Sequence, residues 1–255
     1  MHQNEAVVNP QKTKNSPDIG PVAVMAATRP DLIYLSELFH FSKNDYRRLF
    51  LSRLYFDRNN PGGISVTGSF IGAPYAVMLL ENLIAWGARQ IIFIGWCGAI
   101  SDQVNIGDVI LPTSIYIDEG TSRHYGAGNN LPLQLTFPLV PKVRQALNTK
   151  KEDYHEGPVW TTDAVYRETR GEVAVHQQNG ILAVEMEFSA LASVARFREV
   201  DLAGLLVVSD ELSSMSWRPG FKQQQFIQSR QSVCRLVKEF IDNLLSGKVS
   251  HGGHH

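Results

Sequence analysis

Ile91-Ile92-Phe93-Ile94 carries no polar side chain on either face of an extended strand. Side chains alternate across a strand, so an unbroken apolar run must be covered on both sides. That requirement points to a layered α/β arrangement in which helices pack on the sheet. Leu205-Leu206-Val207-Val208 repeats the demand, and the pieces between alternate in the βα manner. Val22–Ala26 and Ile64–Gly68 read as strands, and Asp31–Phe39 and Ala73–Trp86 as helices. Val77, Leu80 and Ile84 share a face of the second helix, and Gly87 stops it. Further strands are expected at Asp108–Pro112 and Val159–Thr162. Phe188, Leu191, Ala192 and Ala195 form a helical stripe, and a long helix over Lys222–Leu245 closes the chain. Trp96-Cys97-Gly98-Ala99 reads as a tight turn that lets backbone approach a ligand.

The chain has 255 residues and 44% hydrophobic content, enough for one large core. Residues 1–18 are polar without an apolar period and read as a disordered lead. Residues 19–246 form the expected domain, and residues 247–255, ending in His254 and His255, a disordered His-containing tail. A net charge of -1 gives no reason to expect nucleic acid or an anionic membrane as partner. No apolar run is long enough to span a bilayer, and the polar N-terminus lacks a signal-peptide core. Cys97 and Cys234 lie far apart and outside metal-ligand spacing, so no metal site is expected and a reducing, cytoplasmic setting is.

Both apolar runs that matter most end in acids. Val184-Glu185-Met186-Glu187 brackets a methionine with two carboxylates, and Val208-Ser209-Asp210 closes the second run. Two such strands can deliver carboxylates to one rim of a sheet, where open α/β proteins bind ligands. Paired oxygens suit vicinal sugar hydroxyls, a methionine covers a ring face, and a separate carboxyl can protonate a leaving group. The competing reading is that each acid caps a helix, and Glu187 is placed to begin one.

Gly95-Trp96-Cys97-Gly98-Ala99, Ile106-Gly107-Asp108-Val109, Val184-Glu185-Met186-Glu187 and Val208-Ser209-Asp210 occur in that order. Together they resemble the hexameric-type nucleoside phosphorylases, a superfamily that includes purine nucleoside phosphorylase, uridine phosphorylase and the methylthioadenosine nucleosidases. The resemblance runs from about Val22 to Leu245. It implies a single three-layer α/β domain around a twisted mixed, partly barrel-like sheet flanked by helices, assembled as a homo-oligomer, either a dimer or a trimer of dimers. It also implies cleavage of the N-glycosidic bond of a nucleoside, with no cofactor and inorganic phosphate as co-substrate, in purine salvage.

Carried onto this chain, the resemblance gives Glu187 the ribose hydroxyls, Met186 the sugar face, and Glu185 a supporting role. Tyr166 and Val165 fall beside the base, while Cys97, Gly98 and Ser209 contact base and sugar. Asp210 is the expected general acid, with Arg218 behind it, and Trp96 and Tyr166 exclude bulk water. An acid at position 210 favours a purine base.

The phosphate-binding pattern departs from the family. The first loop reads Ala26-Ala27-Thr28-Arg29-Pro30-Asp31, with Asp31 near the family's arginine position. Phe93 replaces the central-strand arginine, and Trp96 the Ser or Thr. A dianion needs convergent donors or fixed positive charge. An anion site would therefore be rebuilt from Thr28, Arg29, Arg47 and Arg48, with Arg53 as a further candidate. Phosphate is the expected acceptor. Water, or a non-catalytic nucleoside-binding role, is the alternative.

Overall fold

The computed structural model describes residues 6–42, 44–57, 63–128 and 132–247. In chain order, β1 (Val22–Ala26) leads through α1 (Arg29–Leu38) to the hairpin of β2 (Arg47–Leu49) and β3 (Ser52–Phe56). Then follow β4 (Ile64–Gly68), α2 (Ala73–Ala85), β5 (Gln90–Ala99), β6 (Val109–Asp118), β7 (Leu133–Gln134) and α3 (Leu139–Lys150). The second half contains β8 (His155–Thr162), α4 (Arg170–Gln178), β9 (Ala183–Glu185) and α5 (Phe188–Phe197). It ends with β10 (Asp201–Glu211), β11 (Arg218–Pro219) and α6 (Gln224–Leu245).

These strands form one mixed sheet that partly closes on itself. β10 pairs with β6, β6 with β8, β8 with β9, β9 with β5, and β5 again with β10, which completes a five-membered ring. β1, β4, β3 and β2 extend outward from β5 in that order. β1 is buried along its length between two parallel neighbours, with Val24 opposite both Val66 and Ile92. Its unbroken apolar sequence follows from being covered on both faces. The expected layered α/β fold with a partly barrel-like sheet is the fold observed.

β5 differs from the expectation in one respect that matters. It does not turn at Trp96 but continues through Ala99, because strands on both sides continue with it. Cys97 lies opposite Val208, and Gly98 opposite both Asp210 and Val184. The ladder with β10 slips between Val208 and Asp210, leaving Ser209 as the extra residue of a bulge. The β2–β3 hairpin, α3 and α4 were not foreseen. α4 does carry a local signal, the Thr169/Glu172 capping box, but only Val173 on it is buried.

The helices cover the sheet by packing in pairs, α1 on α6 and α2 on α5. Among the described residues no helix is long and apolar enough to cross a membrane. Part of the lead lies on the domain: Trp86 Nε1 donates to the Gln11 carbonyl (3.3 Å) and Arg47 Nη1 to that of Asn15 (2.5 Å). The His-containing segment 248–255 lies outside the described residues.

Phe188, at the start of α5, stacks on Phe93 of β5 with ring centroids 5.4 Å apart. The ring fits because residue 204 of β10 is glycine: a Cβ there would stand 2.3 Å from Phe188 Cζ and 2.7 Å from Cε2. Interiors pack too tightly to absorb that. Gly204→Ala is expected to destabilise the protein by about 1–3 kcal/mol. The result would be a lower urea midpoint with an unchanged m-value.

Candidate active site

A cleft of about 380 Å³ opens over the strand ends. Its walls come from the segments after β1 (Ala27, Thr28), β4 (Phe70, Ile71) and β9 (Met186, Glu187). Residues near the ends of β5 (Trp96 to Gly98) and β10 (Ser209, Asp210) also line it, as do Val165, Glu168 and Phe221. Both acid-terminated strands deliver their carboxylates to this one cleft, as their sequences suggested.

The two glutamates around Met186 have separate roles. Glu185 is buried and faces inward, receiving the backbone N–H groups of Glu187 and Phe188 (2.7 Å each) and the Thr161 hydroxyl. It therefore caps α5, satisfying donors that the first helical turn leaves open. Thr161 in turn accepts from the Ser189 N–H at 3.1 Å. The capping reading thus holds for Glu185, which fixes the turn carrying its neighbours.

Glu187, at the N-cap position itself, makes no cap bond with its side chain. Its Oε1 instead accepts the Gly72 N–H at 2.6 Å. Gly72 has φ 83°, a conformation that favours glycine, and it aims that N–H across the cleft at the start of α2. Burial pushes the proton affinity of Glu187 up, the nearby Glu185 charge adds to this, and the Gly72 bond opposes it. Burial raises Glu185 in the same way against its three donors.

Asp210 directly follows the β10 bulge and pairs with Gly98 of β5. The Ser209 hydroxyl meets its Oδ1 at 2.6 Å and also lies 3.2 Å from the Cys97 carbonyl. Trp217 Nε1 donates to Oδ2 at 2.8 Å. Burial raises its pKa above the usual carboxylate value, and the Ser209 and Trp217 bonds work against the rise. The serine can serve either protonation state. It donates to the carboxylate, or accepts from the acid and turns its own O–H to donate to the Cys97 carbonyl. Cys97 is a buried thiol, raised well above its ordinary value by burial and by the Asp210 and Glu185 charges. It is held as a neutral thiol and is no nucleophile.

Several residues lie elsewhere than expected. Arg218 pairs with Glu211 and not with Asp210, whose support comes from Trp217. The short β10–β11 pairing sets Arg218 opposite Glu211 and turns it away from the cleft. Tyr166 is 97% exposed on a short 3₁₀ turn and does not shield the site. Of the anion candidates only Thr28 reaches the cleft. Arg47 lies over the Trp86 ring at 5.8 Å, whereas Arg29 and Arg48 line a separate pocket of about 230 Å³ with Arg53. Glu168 and Phe221 were missed; the only sequence signal for Glu168 is an acid in the loop just after a buried strand.

Beneath Thr28 and Trp96 lies Asp31, with no exposed surface. Its carboxylate accepts from Thr28 Oγ1 (2.8 Å), Trp96 Nε1 (2.6 Å) and Arg230 Nη1 (2.6 Å). The Trp96 ring is also braced edge-on by Phe226, centroids 4.8 Å apart. Arg230 comes from α6 and is itself largely buried. The region in which the resemblance expects an anion cradle is thus occupied by a carboxylate and its own cation. Among the described residues no Arg, Lys or His lines the cleft, and no His/Cys/Asp/Glu group is arranged to hold a metal.

The fold and cleft together define a carboxylate-lined ligand site at the strand ends of a barrel-closed α/β domain. The sequence matches the phosphorylase superfamily profile over residues 21–242, and the chain belongs to that superfamily. It is 32% identical over 165 residues to a DeoD-type purine nucleoside phosphorylase of Myxococcus xanthus, an overlap of 64% of this chain and 69% of the relative. A DeoD-type 1 enzyme of Shewanella oneidensis is 29% identical over 150 residues, 58% of this chain and 64% of that one. The crystal structure of uridine phosphorylase from Vibrio fischeri superposes with a TM-score of 0.75 at 20% identity, covering 93% of this chain and 99% of that one. That likeness establishes the shared fold.

The Asp31–Arg230 pair joins α1 to α6 under the cleft. Removing one partner of a buried pair strands the other charge. Arg230→Met should cost roughly 3–5 kcal/mol of stability in denaturant unfolding. Adding Asp31→Asn to that variant should restore much of the loss, whereas two additive losses would show that the residues act independently.

Proposed function

We propose that this protein cleaves the N-glycosidic bond of a purine-type nucleoside, with Asp210 as general acid and Glu187 as the ribose ligand. The observation that carries the reading is that β9 and β10 bring these two carboxyls to one cleft, with Met186 beside Glu187. Glycosidic cleavage leaves negative charge on the base and makes the ribose cationic. A protonated Asp210 neutralises the first, and Glu187, backed by Glu185, stabilises the second. Trp96 and Phe221 limit the access of bulk water, and Val165, Cys97, Gly98 and Ser209 surround the base and sugar. No cofactor is needed for this chemistry.

The lining favours water over phosphate as acceptor, because no cation among the described lining residues is placed to hold a dianion. Phosphorolysis is the second reading. The Arg29, Arg48 and Arg53 pocket favours it, since that pocket borders Gly68 and Ser69, next in the chain to Phe70 and Ile71 of the cleft. A homo-oligomer in the cytoplasm suits both. Exposed Leu51, Ile71 and Met78 offer apolar surface to a second copy, and both cysteines are free thiols.

Incubating the protein with purine and pyrimidine nucleosides, with and without phosphate, tests this. Free purine base and ribose in either buffer is the expected result. Ribose 1-phosphate formed only with phosphate would select the second reading, and no base release from any nucleoside would contradict both.

Asp210→Asn should lower kcat by roughly 10²–10⁴ with little change in nucleoside affinity. The raised pKa of Asp210 sets the sign of the pH dependence: the acid is present at low pH and lost as pH rises through its pKa. The wild-type rate should therefore fall on the alkaline side, and Asp210→Asn should abolish that limb. A variant with unchanged kcat would exclude Asp210 as the acid.

A further inference from the structure

A further carboxyl, Glu168, lines the cleft near Asp210, and the mechanism above does not use it. Glu168 follows the 3₁₀ turn Val165–Arg167, and its backbone N–H closes that turn on the Val165 carbonyl at 3.4 Å. The turn brings its side chain to the cleft wall beside Val165 and near Asp210. The carboxyl is half-buried. Among the described residues it has no hydrogen bond or ion pair, although Arg167 and Arg170 flank it in the chain. Its neighbours in space are acidic: Asp210 from β10 and Glu172 from α4, with Glu185 and Glu187 across the cleft. A partly desolvated carboxylate without a donor is costly, so a ligand bearing donors gains by filling that place.

We infer that Glu168 reads the departing base, accepting a hydrogen bond from a ring N–H or exocyclic amino group while Asp210 offers the proton. This rests on the N-glycosidic reading of the cleft. The two carboxyls divide the work by their partners. Asp210 is held by Ser209 and Trp217, whereas Glu168 is left to the ligand. A carboxylate can only accept, so the pair selects a base with an acceptor on one edge and a donor on another. Amino- and oxopurines qualify, and an unsubstituted purine does not. A site built to meet a substrate donor rejects the analogue that lacks it far more strongly than an apolar pocket rejects a missing methylene. The selection is also tied to pH. Burial, then the Asp210 and Glu172 charges, raise the Glu168 carboxyl to about 7. Below that pH it is protonated and accepts poorly, so the preference for donor-bearing bases grows as pH rises through neutrality.

The test compares inosine and adenosine with purine riboside, which lacks both the N1–H and the amino group. Wild-type protein and the variants Glu168→Leu and Glu168→Gln are used at pH 6 and pH 8. The wild type is expected to prefer the donor-bearing nucleosides in kcat/KM by at least about tenfold at pH 8, and less at pH 6. Glu168→Leu should lose that preference at both pH values, its kcat/KM for inosine and adenosine falling to that for purine riboside. Glu168→Gln, which keeps a carbonyl acceptor, should retain part of the preference without its pH dependence. An unchanged preference in Glu168→Leu would overturn the inference and mark Glu168 as a solvated wall residue, leaving the N-glycosidic reading intact. If no nucleoside is turned over, that reading has failed. Calorimetric binding of the same three nucleosides then decides the Glu168 role alone: preference lost in Glu168→Leu supports it, and equal or absent wild-type binding overturns it.

Discussion

The parallel pairing of β5 with β10 holds the structure together. It closes the barrel, joining the half of the sheet built on β1 to the half built on β6 and β8. The same ladder sets the chemistry, because its register places Cys97 against Val208 and Gly98 against Asp210. The slip takes Ser209 out of the ladder and ties its hydroxyl to the Cys97 carbonyl, while Asp210 stays paired with Gly98 and meets Trp217 at the cleft. A bulge re-aims a side chain at the cost of one ladder position. Here the extra residue, Ser209, sets the register of Asp210 and gives that carboxyl its hydroxyl partner.

Charge is the second organising constraint. Glu168, Glu185, Glu187 and Asp210 line one small cleft, and burial raises the proton affinity of all four. The protein meets this cost unequally. Glu185 receives three donors and serves as a helix cap; Asp210 and Glu187 have fewer partners and face the ligand space. Clustered carboxyls suit a ligand that gains positive charge, and the lining offers a free dianion no fixed positive charge. Asp31 completes the pattern from below. It consumes Arg230 and the donors of Thr28 and Trp96, so these polar groups at the cleft are committed to the protein itself.

What could be read from the sequence follows from the range of the interactions involved. The apolar runs of β1, β4, β5 and β10 announced doubly covered strands, and the acids at two of their ends announced the cleft, because both signals are local. Trp96-Cys97-Gly98-Ala99 was misread as a turn. Its small residues suit one, but β9 and β10 supply partners from distant parts of the chain and keep it extended. Long-range pairing also explains why Arg218 was misassigned: β11 sets it against Glu211. Arg230 lies 199 residues from Asp31, and no spacing rule links them. Glu168 escaped notice because an acid in a polar loop looks solvated until the turn that carries it is seen to fold over the cleft.

If these carboxylates stabilise a ribose that becomes positively charged, an iminoribitol nucleoside analogue, cationic at the ring, should bind at least about 10²-fold more tightly than its neutral carbocyclic counterpart, as at a site complementary to the transition state. Titration calorimetry of the two measures this directly, and equal affinities would show that the carboxylates do not act on ribose charge.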